Sequence, residues 1–495
     1  MIGSFVNVKE VIIIGAGISG CATALALAQK NISVTILTSS YDERIYHAPF
    51  IQKEELEKKI ADLQKGEKQK LSCLRANEQL VTCGEKSVNQ LIGEHCFIDR
   101  KGNIDIHRGL IEQLKQLSKV EWISNHSLLE LLTLHQHSAR LADVHKNPMC
   151  IGITAFNHET STVERFLAKE VIIATGGATS LYPYSTHSKS ARGEGIVIAW
   201  RAGARLLKME QIQFHALGLF EKDKPCIPLP LEFLDEGGQL ALTYQSVNDI
   251  VPERDRLSDQ LYELMLENRL EHLWLNLTML DAARLKDKYP ALDTYCLDRG
   301  INIAKNRLPV VPVARYTCGG IAVDRFGQTN LQRLRAVGEA ACTGLIANFE
   351  DEAMGVVESL TWAFVCAEDI ASKLNKFIYY FPELRPNSLV IQPRKNLKED
   401  WHLINFIMWN YSGIKRDKLR LKRARVFLNQ LQNFNSFDFS SGLSMDQIHL
   451  IFANQMALLI TEDAINNLKQ LRIVDKEANE KYTEVVEACL VELSQ

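Results

Sequence analysis

A glycine turn between two unlike segments constrains this chain more than any other feature. Val11-Ile12-Ile13-Ile14 is a short, β-branched, wholly apolar run; it leads into Gly15-Ala16-Gly17-Ile18-Ser19-Gly20 and then an alanine- and leucine-rich stretch to Gln29. A second run, Ser33 to Leu37, follows. Strand, turn, helix and strand make a βαβ unit, and a first strand without polar residues predicts a parallel sheet covered on both faces. In this setting G-x-G-x-x-G has a physical meaning. The glycines permit a tight turn, close backbone approach to a pyrophosphate and close helix–strand packing, while the helix N-terminus favours the phosphate charge. A dinucleotide is therefore expected at Gly15, Ala16, Gly17, Ile18, Ser19 and Gly20. The acid that usually meets the ribose at the end of the second strand is replaced by Thr38-Ser39-Ser40, which argues against a standard nicotinamide site.

Composition narrows the class. With 495 residues, 46% hydrophobic and 24% charged, the chain has the make-up of a large globular protein of several domains. The balance of 57 basic against 60 acidic side chains gives a net charge of −3, so no global positive field draws in nucleic acid or an anionic membrane. Eleven cysteines, none in a C-x-x-C pair or at zinc spacing with histidine, read as buried thiols of a reducing, cytoplasmic compartment, with no metal site. Val11 to Ala28 imitates a targeting segment, but Lys9-Glu10 flanks it and glycines interrupt its apolar run; no other run approaches membrane length, so no span is expected.

Further along, Val171-Ile172-Ile173-Ala174 runs into Thr175-Gly176-Gly177, and Leu334 to Val337 into Gly338-Glu339. Both repeat the strand-then-glycine pattern and can share the first sheet. Residues 211–312, richer in proline and amphipathic helices, read as a domain inserted between them. Beyond 393 the apolar spacing is helical, over Trp401–Phe434 and Asp446–Leu471. The charged stretch from Tyr41 to Lys70 reads as an insertion or surface helix.

Two later strand ends returning to the cofactor suit a long, extended FAD. Ala174-Thr175-Gly176-Gly177-Ala178, then Leu181 to Thr186, Gly193-Glu194-Gly195, Ala199 to Ala204 and Gln213-Phe214-His215 resemble the succinate dehydrogenase/fumarate reductase flavoprotein family. Tyr316-Thr317-Cys318-Gly319-Gly320, Val337-Gly338-Glu339, Thr343-Gly344-Leu345 and Met408 to Ile414 add to it, the last of these resembling its L-aspartate-oxidising branch. The resemblance implies a doubly wound, Rossmann-like α/β FAD-binding domain (1–210 and 313–390), an inserted α+β cap (211–312) and a C-terminal helical bundle (393–495). It implies FAD contacts at Ala16 to Ser19, Thr38, Ala174, Thr175, Gly176, Gly177, Glu194, Glu339, Gly355 and Val356. It places His215, Arg254 and Arg315 at the substrate, Arg254 as the proton-relaying arginine with Arg256 as its rival in register. The implied reaction oxidises an amino acid or dicarboxylate, L-aspartate to iminoaspartate, with hand-off to quinolinate synthase toward NAD.

Departures from the family cluster on the substrate side. Ala216-Leu217 stands for Pro-Thr, Pro230-Leu231 and Leu234 for a polar, arginine-bearing box, Arg315 for a histidine, and Glu350 for an arginine. A carboxylate facing a substrate carboxylate would cost roughly 4 kcal/mol at contact distance and an effective dielectric of about 20. Arg315 pairing with Glu350 or Asp351 is the alternative to a substrate contact. An FAD-binding paralogue with an altered or inactive substrate site is accordingly the alternative function.

Overall fold

The computed structural model describes residues 8–39, 51–52, 61, 74–92, 97–98, 103–246, 250–253, 256–345, 352–386, 391–392, 397–434 and 442–470. The elements that position the site are, in chain order, β1 (Lys9–Ile14), α1 (Ile18–Gln29), β2 (Val34–Leu37), α2 (Leu74–Ile92), α3 (Ile106–Lys115), β3 (Val120–Ile123), β4 (His126–Thr133), β5 (Cys150–Asn157), β6 (Thr162–Ile173) and α4 (Glu194–Arg201). There follow β7 (Ile212–Leu219), β8 (Ile227–Pro228), β9 (Gln239–Ala241), α5 (Leu257–Asn268), β10 (Leu273–Asn276), β11 (Leu308–Thr317), β12 (Leu334–Ala336), α6 (Glu352–Lys373), α7 (Lys398–Tyr411), α8 (Lys418–Phe434) and α9 (Met445–Gln470).

The first sheet runs β3-β2-β1-β6-β5-β4, with β12 added to β6. Its β1, β2, β3, β12 and the end of β6 are parallel; the first strand-then-glycine segment docks beside β1 and the second beside the first, so that Ile13 lies opposite Ile172, which in turn lies opposite Arg335. Helices α1, α2, α3 and α6 bury one face around Ile13, Leu27, Ile36 and Trp362. α4 and the C-terminal helices cover the other around Ile12, Ile196, Trp409 and Met456. Both faces are thus covered, as the all-apolar β1 requires. β4 and β5 extend the sheet as an antiparallel meander against the first half of β6.

Arg335 enters this core as a charge. Its side chain is 3% exposed and meets Glu170 at 3.3 Å, Asp369 at 2.6 Å and the Phe326 carbonyl at 3.0 Å. Taking away one member of a buried ionic cluster leaves the others uncompensated, a cost of about 3–5 kcal/mol. Arg335→Leu should therefore lower the urea unfolding midpoint sharply; a shift worth less than about 1 kcal/mol would show the cluster to be replaceable.

The second sheet, β8-β7-β11-β10-β9, is antiparallel and closes over Phe233, Leu261, Leu275 and Val311. The expected boundary at residue 312 falls inside β11, which pairs with β7 on one side and β10 on the other. Pro312, which cannot donate to the ladder, sits where the β7–β11 register slips between Val313 and Val311. Trp409 of α7 packs edge-on against Tyr184, Tyr262 and Phe214, at ring centroids 5.0, 5.3 and 6.4 Å, and so joins the helical tail to this sheet.

One sequence expectation is revised. Among the described residues Met445–Leu468 has the length and apolarity of a membrane span, but 67% of that window is buried against protein, as a core helix requires. Eight described cysteines are free, six of them buried, and no cluster of metal-ligating side chains occurs among the described residues.

Candidate functional site

The parallel strand ends converge on the glycine turn. Gly15 has φ +107°, and a Cβ there would collide with the Ala174 carbonyl; one on Gly20 would collide with the Gly15 carbonyl. Gly17 caps α1 without a side-chain hydrogen bond, and the first turn, with Ile18 and Ser19, carries no acid. Its first N–H groups are left to an acceptor from outside the helix, the arrangement a pyrophosphate fills. Opposite lies the Ala174 turn, held to β1 by Ala174 N–H donating to Ile14 O at 2.8 Å. Gly176 there has φ +73° and nothing within 4 Å of where a Cβ would point. An uncapped helix start facing open, glycine-built backbone fits FAD.

The remaining expected cofactor residues occupy definite places. Thr38 ends β2, its N–H donating to Ile123 O and its carbonyl accepting from His126 N–H, both at 3.0 Å. Thr175 packs its hydroxyl against Gly195 of α4, buried without a hydrogen bond. Gly177 lies against Glu339. The Glu339 carboxylate accepts from Thr317 N–H at 2.7 Å and pairs with His187 at 3.2 Å. Glu194 differs from expectation: its carboxylate is directed at His449 of α9 (2.9 Å) and Arg192 (3.7 Å). Gly355 and Val356 lie in the first turn of α6, with the Val356 side chain buried in the apolar core.

The substrate-side residues meet on β7 and β11. His215 is buried, and its Nε2 lies 2.8 Å from the Leu229 carbonyl. A carbonyl only accepts, so Nε2 carries the proton and Nδ1 is an acceptor. Burial, then the Arg315 charge, pushes this imidazole down to about 4, so it is neutral at ordinary pH. Arg315 is the extra residue of a β-bulge, since Gln213 pairs with Tyr316 and Phe214 with Ala314. A bulge re-aims one side chain, which is how a buried arginine comes to act on His215 from the neighbouring strand. Arg254 and Glu350 lie outside the described residues, as do Asp351 and the stretch from Tyr41 to Lys70 apart from 51–52 and 61. Arg256 starts α5 at the surface, paired with Glu253 and Glu263, as a solvated helix start would be. Leu231 and Leu234 pack against the apolar core of the second sheet.

The lowered His215 value carries a sign. The unfolded imidazole binds a proton below about 6.5 and the folded one only below about 4, so stability rises with pH across that window and is lost on acidification, by on the order of 3 kcal/mol. His215→Gln should flatten that part of the stability–pH curve relative to the parent. The same change in unfolding free energy between pH 4.5 and 7 in parent and variant would contradict the assignment.

Several residues at the site carried no sequence signal. Buried His107 brings Nε2 within 2.7 Å of the Ala16 carbonyl inside the glycine turn. His187 pairs with Glu339, and His449 with Glu194. Glu358 is buried on α6. The three histidines act across more than ninety residues of sequence, where spacing carries no information.

The fold and site define a flavoprotein: the chain belongs to the family described as FAD binding domain, whose model matches residues 92–356, and residues 10–51 match the model for glucose inhibited division protein A. FAD is its cofactor, and the chain is similar to L-aspartate oxidases. It is 31% identical to the L-aspartate oxidase of Yersinia pestis over 64% of this chain and 61% of that protein, less than two thirds of its length. It is 27% identical to that of Acinetobacter baylyi over 84% of this chain and 83% of that protein. Among solved structures, E. coli quinol fumarate reductase superposes with a TM-score of 0.72 at 19% identity, covering 92% of this chain and 89% of that one.

Proposed function

We propose that this chain oxidises L-aspartate to iminoaspartate, the imine passing to quinolinate synthase for NAD formation in the cytoplasm. The observation that carries the reading is the likeness to L-aspartate oxidases over most of the chain, supported by the proximity of Arg315 to buried His215. FAD, when bound, accepts the hydride equivalent leaving the substrate Cα. The chain's own work is orientation and charge. Arg315 offers a planar fork to a carboxylate, and neutral His215 offers Nδ1 as an acceptor for a substrate N–H without adding a second positive charge. The buried sheet around them excludes water, which strengthens both contacts. Arg254 is the candidate for moving the substrate proton. Thr38, Glu194, Glu339, Gly355 and Val356 are read as the cofactor's outer contacts, Glu194 through the start of α4 rather than through its carboxylate.

The test is anaerobic addition of L-aspartate, succinate and fumarate in turn to the purified yellow protein. Bleaching of the flavin by L-aspartate, with oxaloacetate and ammonia recovered after the imine hydrolyses, is expected. A flavin that ignores all three would overturn the substrate assignment while leaving the cofactor intact.

A further inference from the structure

A carboxylic acid is buried where the cofactor-facing segments join, and none of the roles above uses it. Glu358 is 5% exposed and lies one turn past Gly355 on α6. One of its oxygens accepts from the Tyr316 hydroxyl at 3.2 Å, and the other from the Thr343 hydroxyl. Tyr316 precedes Thr317, whose N–H holds the Glu339 carboxylate and whose hydroxyl accepts from Ala178 N–H at 2.9 Å, next to Gly177. Thr343 in turn accepts from Leu345 N–H at 3.2 Å, closing the loop that follows Glu339. The Tyr316 ring is also the nearest neighbour of Gly355, 3.7 Å from where a Cβ would stand. Three chain segments distant in sequence, namely the end of β11, the 343–345 loop and the first turns of α6, therefore share this one carboxyl group.

We propose that Glu358 is a positioning residue of the cofactor site: as joint acceptor for Tyr316 and Thr343 it locks β11 and the 343–345 loop to α6, and so fixes the spacing between the Glu339 carboxylate and the Gly355 backbone that bound FAD requires. The proposal rests on the reading of Glu339 and Gly355 as cofactor contacts. A buried carboxyl is suited to this because an apolar side chain would strand two buried hydroxyl groups, and each unmet polar group costs about 1–3 kcal/mol. Its surroundings also set its charge. The groups that face it are Tyr316 and Cys318 from β11 and the turn after it, Glu339 from the following turn, and Cys342 from the strand beyond. Burial first, and the Glu339 charge after it, raise Glu358 to about 7 against the pull of its two hydroxyl donors. Below that pH the carboxyl is neutral beside Glu339; above it a second buried negative charge faces Glu339.

The experiment measures the FAD dissociation constant of the stripped full-length protein by fluorescence quenching at pH 6 and pH 8.5, alongside thermal unfolding of the same apoprotein. The parent should bind FAD several-fold more weakly at pH 8.5. Glu358→Gln, which keeps an acceptor and a donor, should match the parent at pH 6 and lose the pH dependence. Glu358→Leu should weaken FAD binding at least tenfold at both pH values. The Tyr316→Phe/Thr343→Val double variant, which leaves the carboxyl in place, should weaken it similarly at pH 6. Parent-like affinity at both pH values in all three variants would overturn the proposal, and so would a loss in Glu358→Leu that Glu358→Gln fails to restore at pH 6. Glu339→Gln serves as the reference: unchanged FAD affinity there would refute the underlying reading of Glu339, whereas weakened binding there with parent-like Glu358 variants would refute the role of Glu358 alone.

Discussion

Replacing Gly15 by alanine should yield a protein without flavin, binding FAD at least a hundredfold more weakly than the parent. Two costs add at this position. The backbone is at φ +107°, where an L-residue pays about 1–2 kcal/mol, and the added Cβ is driven into the Ala174 carbonyl, a backbone atom of the neighbouring turn that cannot swing aside. Overpacking of this kind adds about 1–3 kcal/mol, and the sum is spent by opening the two turns between which the pyrophosphate must fit. Gly176→Ala is the informative companion. Its φ is also positive, at +73°, but nothing lies within 4 Å of the new methyl group. It should weaken FAD by roughly tenfold, the backbone cost alone. Titration of both apoproteins with FAD checks the pair, and equal losses would show that the collision with Ala174 is not what matters at Gly15.

Arg315→Leu should raise the KM for L-aspartate by two to three orders of magnitude while the purified protein stays yellow. A guanidinium that meets a carboxylate in a buried, water-poor site is worth about 3–5 kcal/mol when one partner is removed, most of it the penalty on the group left behind. Arg315→Lys keeps the charge but loses the fork, and should recover part of the loss. The same substitution removes the positive charge that helps hold His215 down, so the lower limb of the pH–rate profile should move to higher pH in Arg315→Leu. Steady-state kinetics with L-aspartate across pH 5 to 8 reads both effects. An unchanged KM would mean that Arg315 is engaged with protein groups, as in the salt-bridge alternative, and that the dicarboxylate is held elsewhere.

Much of the fold was legible because the decisive signals are local. The run Val11–Ile14, the glycines that follow and the alanine-rich α1 fix a βαβ start within thirty residues, and Val171–Ala174 and Leu334–Ala336 announce themselves by the same apolar-then-glycine order. The meander of β4 and β5 was not legible. Nor was the pairing of β7 with β11, strands about a hundred residues apart whose partnership depends on tertiary fit. Pro309 and Pro312 lie within β11, a central strand, where proline ordinarily argues against one. Its irregular register accommodates Pro312.

The site divides the same way. The turn residues could be read because glycine there answers a steric demand visible in sequence. His215 and Arg315 could be named only through likeness to a family, and their meeting depends on a bulge that no periodicity reveals. Glu194 was read as a cofactor contact through its carboxylate, but His449, some 255 residues later, supplies a partner that the local Gly-Glu-Gly pattern could not announce.

The position of β12 also has a consequence for how the protein is made. The glycine turn is complete by Gly20, but its facing elements, Ala174 to Gly177 and then Glu339, leave the ribosome much later. At roughly 5–20 residues per second, the 324 residues from Gly15 to Glu339 take between about a quarter of a minute and one minute to synthesise. Through that interval α1 exists without α6 beside it and β6 without β12, their apolar faces open to chaperones or to self-association. Cofactor loading is thereby made a late event of biogenesis, and a nascent chain arrested before residue 334 should retain no FAD however much is supplied.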